Sequence, residues 1–244
     1  ASNDSELENV TLNAVLATAA STGDYSVTIK DSRLLLGTSG DGVVTFEGTN
    51  DVNGEAIVGA VVVADGASVS NAKFTEVDVS DDVTLNAGSL NNVTISGLIK
   101  AVTDASISSS RLDGGLEVDG GSTAGEYATL SLQGVVIKDN STITIGAEDV
   151  VELSSALEVS VASSNARLTI VGPGLLDAKG TTISSTALTI GTDSDTDATN
   201  TNDTAVNISN ANITGGTIQL ASNDSELENV TLNAVLATAA STGD

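Results

Sequence analysis

The first 24 residues of the chain, ASNDSELENVTLNAVLATAASTGD, recur letter for letter as residues 221–244, an offset of 220 residues (221 − 1). A match of this length does not arise by chance. It indicates one complete unit, residues 1–220, followed by the start of a second identical unit, residues 221–244. Because an array of large repeats supplies length and valency, the period favours a mechanical role. The alternative is a subunit with two identical ends, through which neighbouring molecules exchange or dock terminal segments.

The apolar residues that are available restrict the shape of the core. Hydrophobic residues make up 40% of the chain, but aromatic residues only 2%, and Met, Trp, Cys and His are absent. Val, Ile, Leu and Ala must therefore fill the interior, which predicts a narrow core. The lack of Cys and His also excludes a disulfide framework, zinc and haem sites, and the usual catalytic bases.

The charge of the chain limits its partners. With 33 acidic and 8 basic residues the net charge is −25, which excludes a nucleic-acid-binding surface and disfavours an anionic membrane. The longest apolar run, residues 56–64, is far shorter than the roughly 20 residues of a membrane-spanning helix. The polar first residues do not form a signal peptide, so we expect any export signal upstream of residue 1. We expect an extracellular or cell-surface location, where strong acidity keeps a long fibre soluble.

A shorter pattern recurs within the 220-residue unit. It consists of an apolar residue, any residue, then usually Asn, Asp, Ser or Gly, a small or apolar residue, any residue and another apolar residue. Two intervals between copies are about twice as long as the others and must hide weaker copies, so we expect ten or eleven turns of about 20 residues per unit. The recognisable copies begin at Leu7, Ile29, Val69, Leu90, Ile107, Leu132, Ile183, Ile208 and Leu227.

The third position of this pattern predicts a sharp corner between two strands. Alternating apolar residues indicate strands with one buried face, and the third residue interrupts the alternation. Asn, Asp and Gly tolerate the left-handed backbone conformation that such a bend requires. The predicted corner residues are Asn9, Asp31, Asn71, Asn92, Ser109, Gly134, Ser185 and Asn210.

These patterns predict an all-β chain. Residues 12–20 could form a local helix, but the neighbouring residues favour strands. An antiparallel sandwich remains open because Asp-Gly turn signals occur, yet it leaves the recurring corner unexplained. Stacked coils explain it, and the chain resembles the right-handed parallel β-helix (β-solenoid) family of tandem-repeat surface fibres and adhesins. That resemblance implies a single-stranded coil with a corner ladder of Asn side chains, which Ser and Gly would interrupt here. At a strand spacing of about 4.8 Å, eleven turns would span roughly 53 Å.

The low-complexity segment 192–204 carries alternating aspartates that suggest a calcium site. Carboxylate oxygens at this spacing suit a hard cation. The segment departs from an EF-hand loop at Ala198, where the turn glycine belongs, and at Thr204, where the bidentate Glu belongs. A solvated excursion from the coil is the alternative, and no other cofactor is expected. The candidate ligands are Asp193, Asp195, Asp197 and Asp203.

Millimolar calcium is expected to raise the unfolding temperature of chelator-treated protein, because a cation bound only by the folded state stabilises it. No shift in a thermal melt at millimolar calcium would rule out a structural site in this segment.

The sequence gives little support to an enzyme. Parallel β-helices include polysaccharide-cleaving enzymes that combine clustered carboxylates with basic residues and bind sugars on aromatic surfaces. The nearest acidic cluster here, residues 78–82, has no basic residue beside it, and the chain has only two tyrosines and no Trp. A polyanionic substrate would also be repelled. We therefore expect no enzymatic activity.

Two functions remain. The first is a structural repeat of a long extracellular filament or surface fibre that forms by end-to-end stacking of units, with copies of itself as partners and with lateral bundling as an option. The second is the stalk of a giant bacterial adhesin, which projects a binding tip. Both require the same coil, but a filament former should assemble or bundle as purified repeats, whereas a stalk should remain a monodisperse rod.

Overall fold

A computed structural model describes residues 4–17, 26–39, 42–75, 83–121, 127–160, 166–191, 205–221 and 225–238. Every regular element in these ranges is a β-strand. None of these segments forms a helix with the length and hydropathy needed to cross a membrane. The strands are β1 (Asp4–Glu8), β2 (Thr11–Leu12), β3 (Leu16–Ala17), β4 (Ser26–Lys30), β5 (Arg33–Leu34), β6 (Thr38–Ser39), β7 (Val43–Glu47), β8 (Thr49–Asp51), β9 (Ala56–Val58), β10 (Val61–Val63), β11 (Ser68–Ser70), β12 (Lys73–Thr75), β13 (Val83–Leu85), β14 (Ser89–Asn91), β15 (Thr94–Ile95), β16 (Leu98–Ala101), β17 (Ala105–Ser108), β18 (Arg111–Leu112), β19 (Gly115–Val118), β20 (Thr129–Gln133), β21 (Val136–Lys138), β22 (Ser141–Ile145), β23 (Val150–Leu153), β24 (Leu157–Ser160), β25 (Arg167–Val171), β26 (Leu175–Asp177), β27 (Thr182–Ile190), β28 (Asn207–Ser209), β29 (Asn212–Leu220), β30 (Glu226–Glu228) and β31 (Thr231–Thr238).

The strands form three parallel faces of a coil. The first face contains β1, β4, β7, β10, β13, β16, β19, β22 and β25, and each strand pairs in parallel with the next. The second face is an 11-stranded sheet from β2 to β30. The third face contains β9, β12, β15, β18, β21 and β24, with β3 and β6 below β9.

Three long strands join the third face to the first. In β27, Ile183 pairs with Leu157 of the third face, whereas Leu188 pairs with Leu168 of the first face. Strands β29 and β31 continue both ladders. The chain therefore forms an all-β parallel solenoid with turns of about 21 residues, and this confirms the predicted fold.

The core is a set of aliphatic columns inside the three faces. On the first face, Ile29, Phe46, Val63 and Leu85 are stacked in register on successive turns, and each side chain is 0% exposed. Phe46 also contacts Phe74 of the third face edge to face, with ring centroids 6.5 Å apart. Because each strand alternates inward and outward side chains, one buried residue every second position is enough to fill this narrow interior.

Two glycines give a matched test of how closely the turns are stacked. Gly215 lies in β29 at φ 152°, and a Cβ atom there would overlap the carbonyl oxygen of Ser185 in the turn below. Gly134 has φ 61°, and a Cβ atom there would come no closer than 3.8 Å to Ser109. We expect Gly215→Ala to destabilise the protein by more than 2 kcal/mol, and Gly134→Ala by about 1 kcal/mol from left-handed strain alone. Chemical denaturation of both variants measures this difference, and equal losses would contradict the stacking.

Candidate functional site: the corner ladders and the end turns

Most solenoid turns contain a tight corner at which one residue adopts the left-handed backbone conformation. Seven of the eight positions where the sequence predicts a corner have this conformation. Asparagine, aspartate and glycine tolerate it at the lowest steric cost. The φ angles lie between 46° and 61° at Asn9, Asp31, Asn71, Asn92, Ser109, Gly134 and Asn210.

The corner predicted at Ser185 is wrong. Ser185 lies inside β27, which passes without interruption from the third face to the first. The residue is 6% exposed, and its Oγ lies within hydrogen-bonding distance of the carbonyl oxygens of Ala166 (2.8 Å) and Ala187 (3.0 Å), which share its single proton. The left-handed residues of this turn are Lys179 (φ 49°) and Gly180 (φ 81°). Because the bend is already made there, the chain passes Ser185 as an extended strand.

The left-handed corners divide into two ladders rather than one. Asn9, Asp31 and Gly48, each in a connection of one or two residues, form a ladder between the first and second faces, which we call the first corner. The later connections at this corner are longer, although they also contain left-handed residues such as Gly66 and Ala87. The second corner, between the second and third faces, carries the other ladder. Strand β8 connects the two ladders, because it begins after Gly48 and ends before Asn53. The second-corner ladder contains Asn53, Asn71, Asn92, Ser109, Gly134, Lys179, Asn210 and Asn229.

The sequence pattern missed Gly48, Asn53 and Lys179. They fall in the two long intervals between recognisable copies, where the apolar spacing around the corner is altered. At Asn53 and Lys179 the corner is lengthened by a glycine, Gly54 or Gly180, which also has positive φ. An Asn-Gly or Lys-Gly pair between two alternating stretches is the signal that could have identified these corners.

The two corners use the same local chemistry. At most of the two-residue corners the residue after the left-handed position is buried, and where this residue is serine its hydroxyl makes the same pair of hydrogen bonds. At the first corner, Ser32 Oγ donates to the Lys30 carbonyl (2.6 Å) and accepts from the Val10 amide (3.1 Å). At the second corner, Ser110 Oγ donates to the Ser108 carbonyl (2.6 Å) and accepts from the Val93 amide (3.1 Å). A strand-corner-strand segment therefore fits either corner of the coil.

Side-chain amides connect successive turns at the second corner. Asn92 Nδ2 donates to Asn71 Oδ1 (2.7 Å), and Asn71 Nδ2 donates to Asp51 Oδ1 (2.9 Å). The hydrogen bond from Asn71 lowers the pKa of Asp51 below its ordinary value, and Arg33 contributes in the same direction. Ser109 follows Asn92 in the ladder and cannot continue the chain of amide bonds.

The amide ladder resumes near the end of the coil. Asn229 Nδ2 donates to Asn210 Oδ1 (3.4 Å), and Asn210 Nδ2 donates to Asp177 Oδ1 (3.0 Å). Asn229 belongs to the second copy of the duplicated segment, so this copy is stacked on the preceding turn as an ordinary member of the ladder.

Lysine side chains bridge acidic residues of adjacent turns on the outer surface. Lys100 Nζ lies 2.7 Å from Glu117 and 3.6 Å from Asp119, one turn later. Lys30 Nζ lies 3.1 Å from Glu8, one turn earlier. The hydrogen bond that Lys100 donates to the Glu117 carboxylate raises the pKa of Lys100. Such exposed pairs contribute little stability singly, but they offset repulsion between stacked carboxylates.

An open groove of about 440 Å³ lies along the second corner, next to Asn53, Asn71 and Asn92. Two basic side chains line it, Arg33 and Lys73. Arg33 is bonded within the coil, because Nε donates to Asp51 Oδ2 (3.0 Å) and Nη2 donates to Asn53 Oδ1 (3.1 Å). The groove is thus a surface depression made by the ladder itself.

The predicted calcium ligands Asp193, Asp195, Asp197 and Asp203 lie outside the described residues, and so does the acidic cluster at 78–82. Within the described ranges no group of three or more His, Cys, Asp or Glu side chains is arranged to hold a metal ion. The calcium site in segment 192–204 therefore stays a prediction from the sequence.

The two copies of the duplicated segment form the first and the last turns of the described coil. Their inward-facing leucines are only partly covered: Leu7 and Leu227 are half-buried, and Leu236 is 49% exposed. The residues with which Leu7 and Leu227 pair in the neighbouring turns are fully buried, since Ile29 and Ile208 are each 0% exposed. Both end turns thus present an unfinished apolar core together with a strand edge, which is a template for further pairing.

Comparison of the chain with protein-family models, curated proteins and solved structures finds no match.

Asp177 gives the corner ladder a testable pH dependence. Burial alone would raise the pKa of its carboxyl group, but hydrogen bonds from Asn210, from the Lys179 side chain and from the Lys179 amide together lower it from 3.8 to about 2. Since the pKa is depressed in the folded state, the stabilisation is fully present above pH 3.8 and is lost as the pH falls towards 2.

We expect Asp177→Asn to reduce the free energy of unfolding at pH 6 by roughly 1 kcal/mol, after allowance for solvent screening, and the difference from wild type to shrink between pH 4 and pH 2. Urea denaturation across this range measures the effect. Glu158→Gln is the matched control, because it removes an exposed carboxylate but none of the ladder hydrogen bonds. A difference between Asp177→Asn and wild type that stays constant down to pH 2 would contradict the assignment.

Proposed function

We propose that the chain is a structural repeat of a long β-solenoid filament outside the cell or on its surface, in which 220-residue units stack end to end. The observation that carries this proposal is that one duplicated segment forms a solenoid turn at both ends of the coil. The strongly acidic surface supports a soluble, self-repelling fibre.

The two copies reveal complementary sides of the same turn. In the first copy, the inward leucines pair with the turn that follows, and in the second copy they pair with the turn that precedes. Overlaying the copies places the duplicated turn between two neighbours, as an interior turn of a continuous coil. The pairs in the first copy are Leu7 with Ile29, Leu12 with Leu34 and Leu16 with Thr38, and those in the second copy are Leu227 with Ile208, Leu232 with Ile213 and Leu236 with Ile218.

A continuous junction removes both exposed ends. Each leucine that becomes fully covered contributes roughly 1.5–3 kcal/mol relative to an exposed side chain. The strand edges gain backbone hydrogen bonds at the same time. The ion pair between Glu8 and Lys30 would recur at every junction, because Glu228 is the second copy of Glu8. The free energy of the coil therefore favours extension by whole units.

Two related arrangements give the same coil. Units within one polypeptide form the junction covalently, whereas subunits with identical ends form it by docking an end turn onto the next molecule. A stalk that projects an adhesive tip would use the covalent junction without lateral association. Purified chains that bundle side by side favour the filament, and monodisperse rods favour the stalk.

Rod length tests the proposal. A two-unit chain, consisting of residues 1–244 followed by a second copy of 25–244, should be longer than the 244-residue chain by about 50 Å at the strand spacing of about 4.8 Å, with the same cross-section. Small-angle X-ray scattering measures both quantities. Two compact bodies joined by a linker, with no rod-like cross-section, would refute the proposal.

Identical substitutions in the two copies test the junction itself. In the two-unit chain Leu232 lies in a turn with neighbours on both sides, whereas Leu12 lies in an end turn. We expect Leu232→Ala to cost about 2–4 kcal/mol, as for a core leucine, and Leu12→Ala only about 1 kcal/mol, because that side chain is already half-exposed. Urea denaturation of both variants measures the comparison, and equal costs would show that the second copy is not an interior turn.

A further inference from the structure

The duplicated segment does not return to the same face of the coil. Leu7 is on the first face, where it pairs with Ile29, but its copy Leu227 is on the second face, where it pairs with Ile208. Leu12 is on the second face and its copy Leu232 is on the third. The two copies thus differ in position by one face.

The third interior leucine shows the same displacement. Leu16 is on the third face, in β3, which pairs with β6 below β9. Its copy Leu236 pairs with Ile218, and Ile218 continues through Leu188 to the first face. Three independent register positions therefore agree, so the displacement is a property of the whole turn.

The period of 220 residues consequently corresponds to a non-integral number of turns. From β1 the first face is revisited ten times before β30 is reached on the second face, one face further along the chain. One unit therefore spans about ten and a third turns. At about 4.8 Å per turn this is an advance of roughly 50 Å.

The corner ladders explain how a unit accommodates this displacement. Connections of one or two residues with a left-handed residue lie at the first corner up to Gly48 and at the second corner from Asn71 onward, whereas the later first-corner connections are longer, although left-handed residues such as Gly66 and Ala87 still occur in them. The second copy of Asn9 is Asn229, and it lies in the second-corner ladder. A following unit would continue that ladder and then move to the next corner across its own β8. Because Ser32 and Ser110 make the same hydrogen bonds at the two corners, the segment fits each corner in turn.

We infer that successive units of the filament are rotated by one face, about 120°, so that every surface side chain recurs on three faces in succession and the pattern repeats after three units. This inference rests on the proposed end-to-end stacking. The three-unit repeat contains about 31 turns and has a length of roughly 150 Å. A given patch of the unit then faces three directions along one filament, which suits lateral contacts with neighbouring filaments of the same chain on all sides.

A heavy-atom label tests the rotation. The chain lacks Cys, so Lys138→Cys introduces one labelling site per unit, at an exposed position of the third face. Gold clusters would be attached to a six-unit chain and imaged by electron cryotomography. We expect successive clusters about 50 Å apart along the rod and about 120° apart around it, so that the fourth cluster has the same azimuth as the first.

A same-face control calibrates the measurement. Lys73 and Ser184 are exposed positions in register, five turns apart on the third face, so Lys73→Cys with Ser184→Cys in the 244-residue chain should give two clusters about 24 Å apart at one azimuth. Clusters of the six-unit chain that share one azimuth at 50 Å spacing would overturn the rotation and leave the stacking intact. Clusters without regular axial spacing would overturn both.

Discussion

The rest of the structure depends on one interaction, the parallel pairing of each turn with the next, which stacks mostly aliphatic side chains in columns along the interior. Because the chain has few aromatic residues, no single large side chain fills the core. Columns such as Ile29, Phe46, Val63 and Leu85 close it by contact along the axis. The stability of each turn therefore depends on its contacts with the two neighbouring turns, and a turn at an end of the coil has only one such neighbour.

The polar contacts on the surface also connect successive turns along the axis of the coil. The amide bonds from Asn92 to Asn71 and from Asn210 to Asp177 join successive turns, as does the ion pair between Lys100 and Glu117. Each of these contacts connects residues of adjacent turns. A coil built in this way has no intrinsic length limit, which is the physical basis for proposing a filament with the unit as its building block.

The all-β solenoid and most of its corners could be predicted from the sequence, because a left-handed residue between alternating strands is a local signal. Asn71, Asn92 and Asn210 carry that signal directly. Ser185 matches the same sequence pattern but lies within an extended strand, because the left-handed residues of this turn are Lys179, six residues earlier, and Gly180. Serine is equally compatible with an inward position inside a strand. The division into two ladders could not be predicted from the motif. The local geometry around Ser32 and Ser110 is the same, so only the long-range register assigns each to a corner. The predicted calcium ligands fall in segment 192–204, outside the described residues.

The central claim is that the duplicated segment forms one turn shared by two units. The most direct measurement is a cryo-electron microscopy reconstruction of the two-unit chain at side-chain resolution. We predict that Glu226–Glu228 will be paired in parallel on both sides, at a strand spacing of about 4.8 Å, with Leu227 enclosed between Ile208 and the second unit's copy of Ile29. A junction in which this segment leaves the coil, or pairs on one side only, would contradict the account.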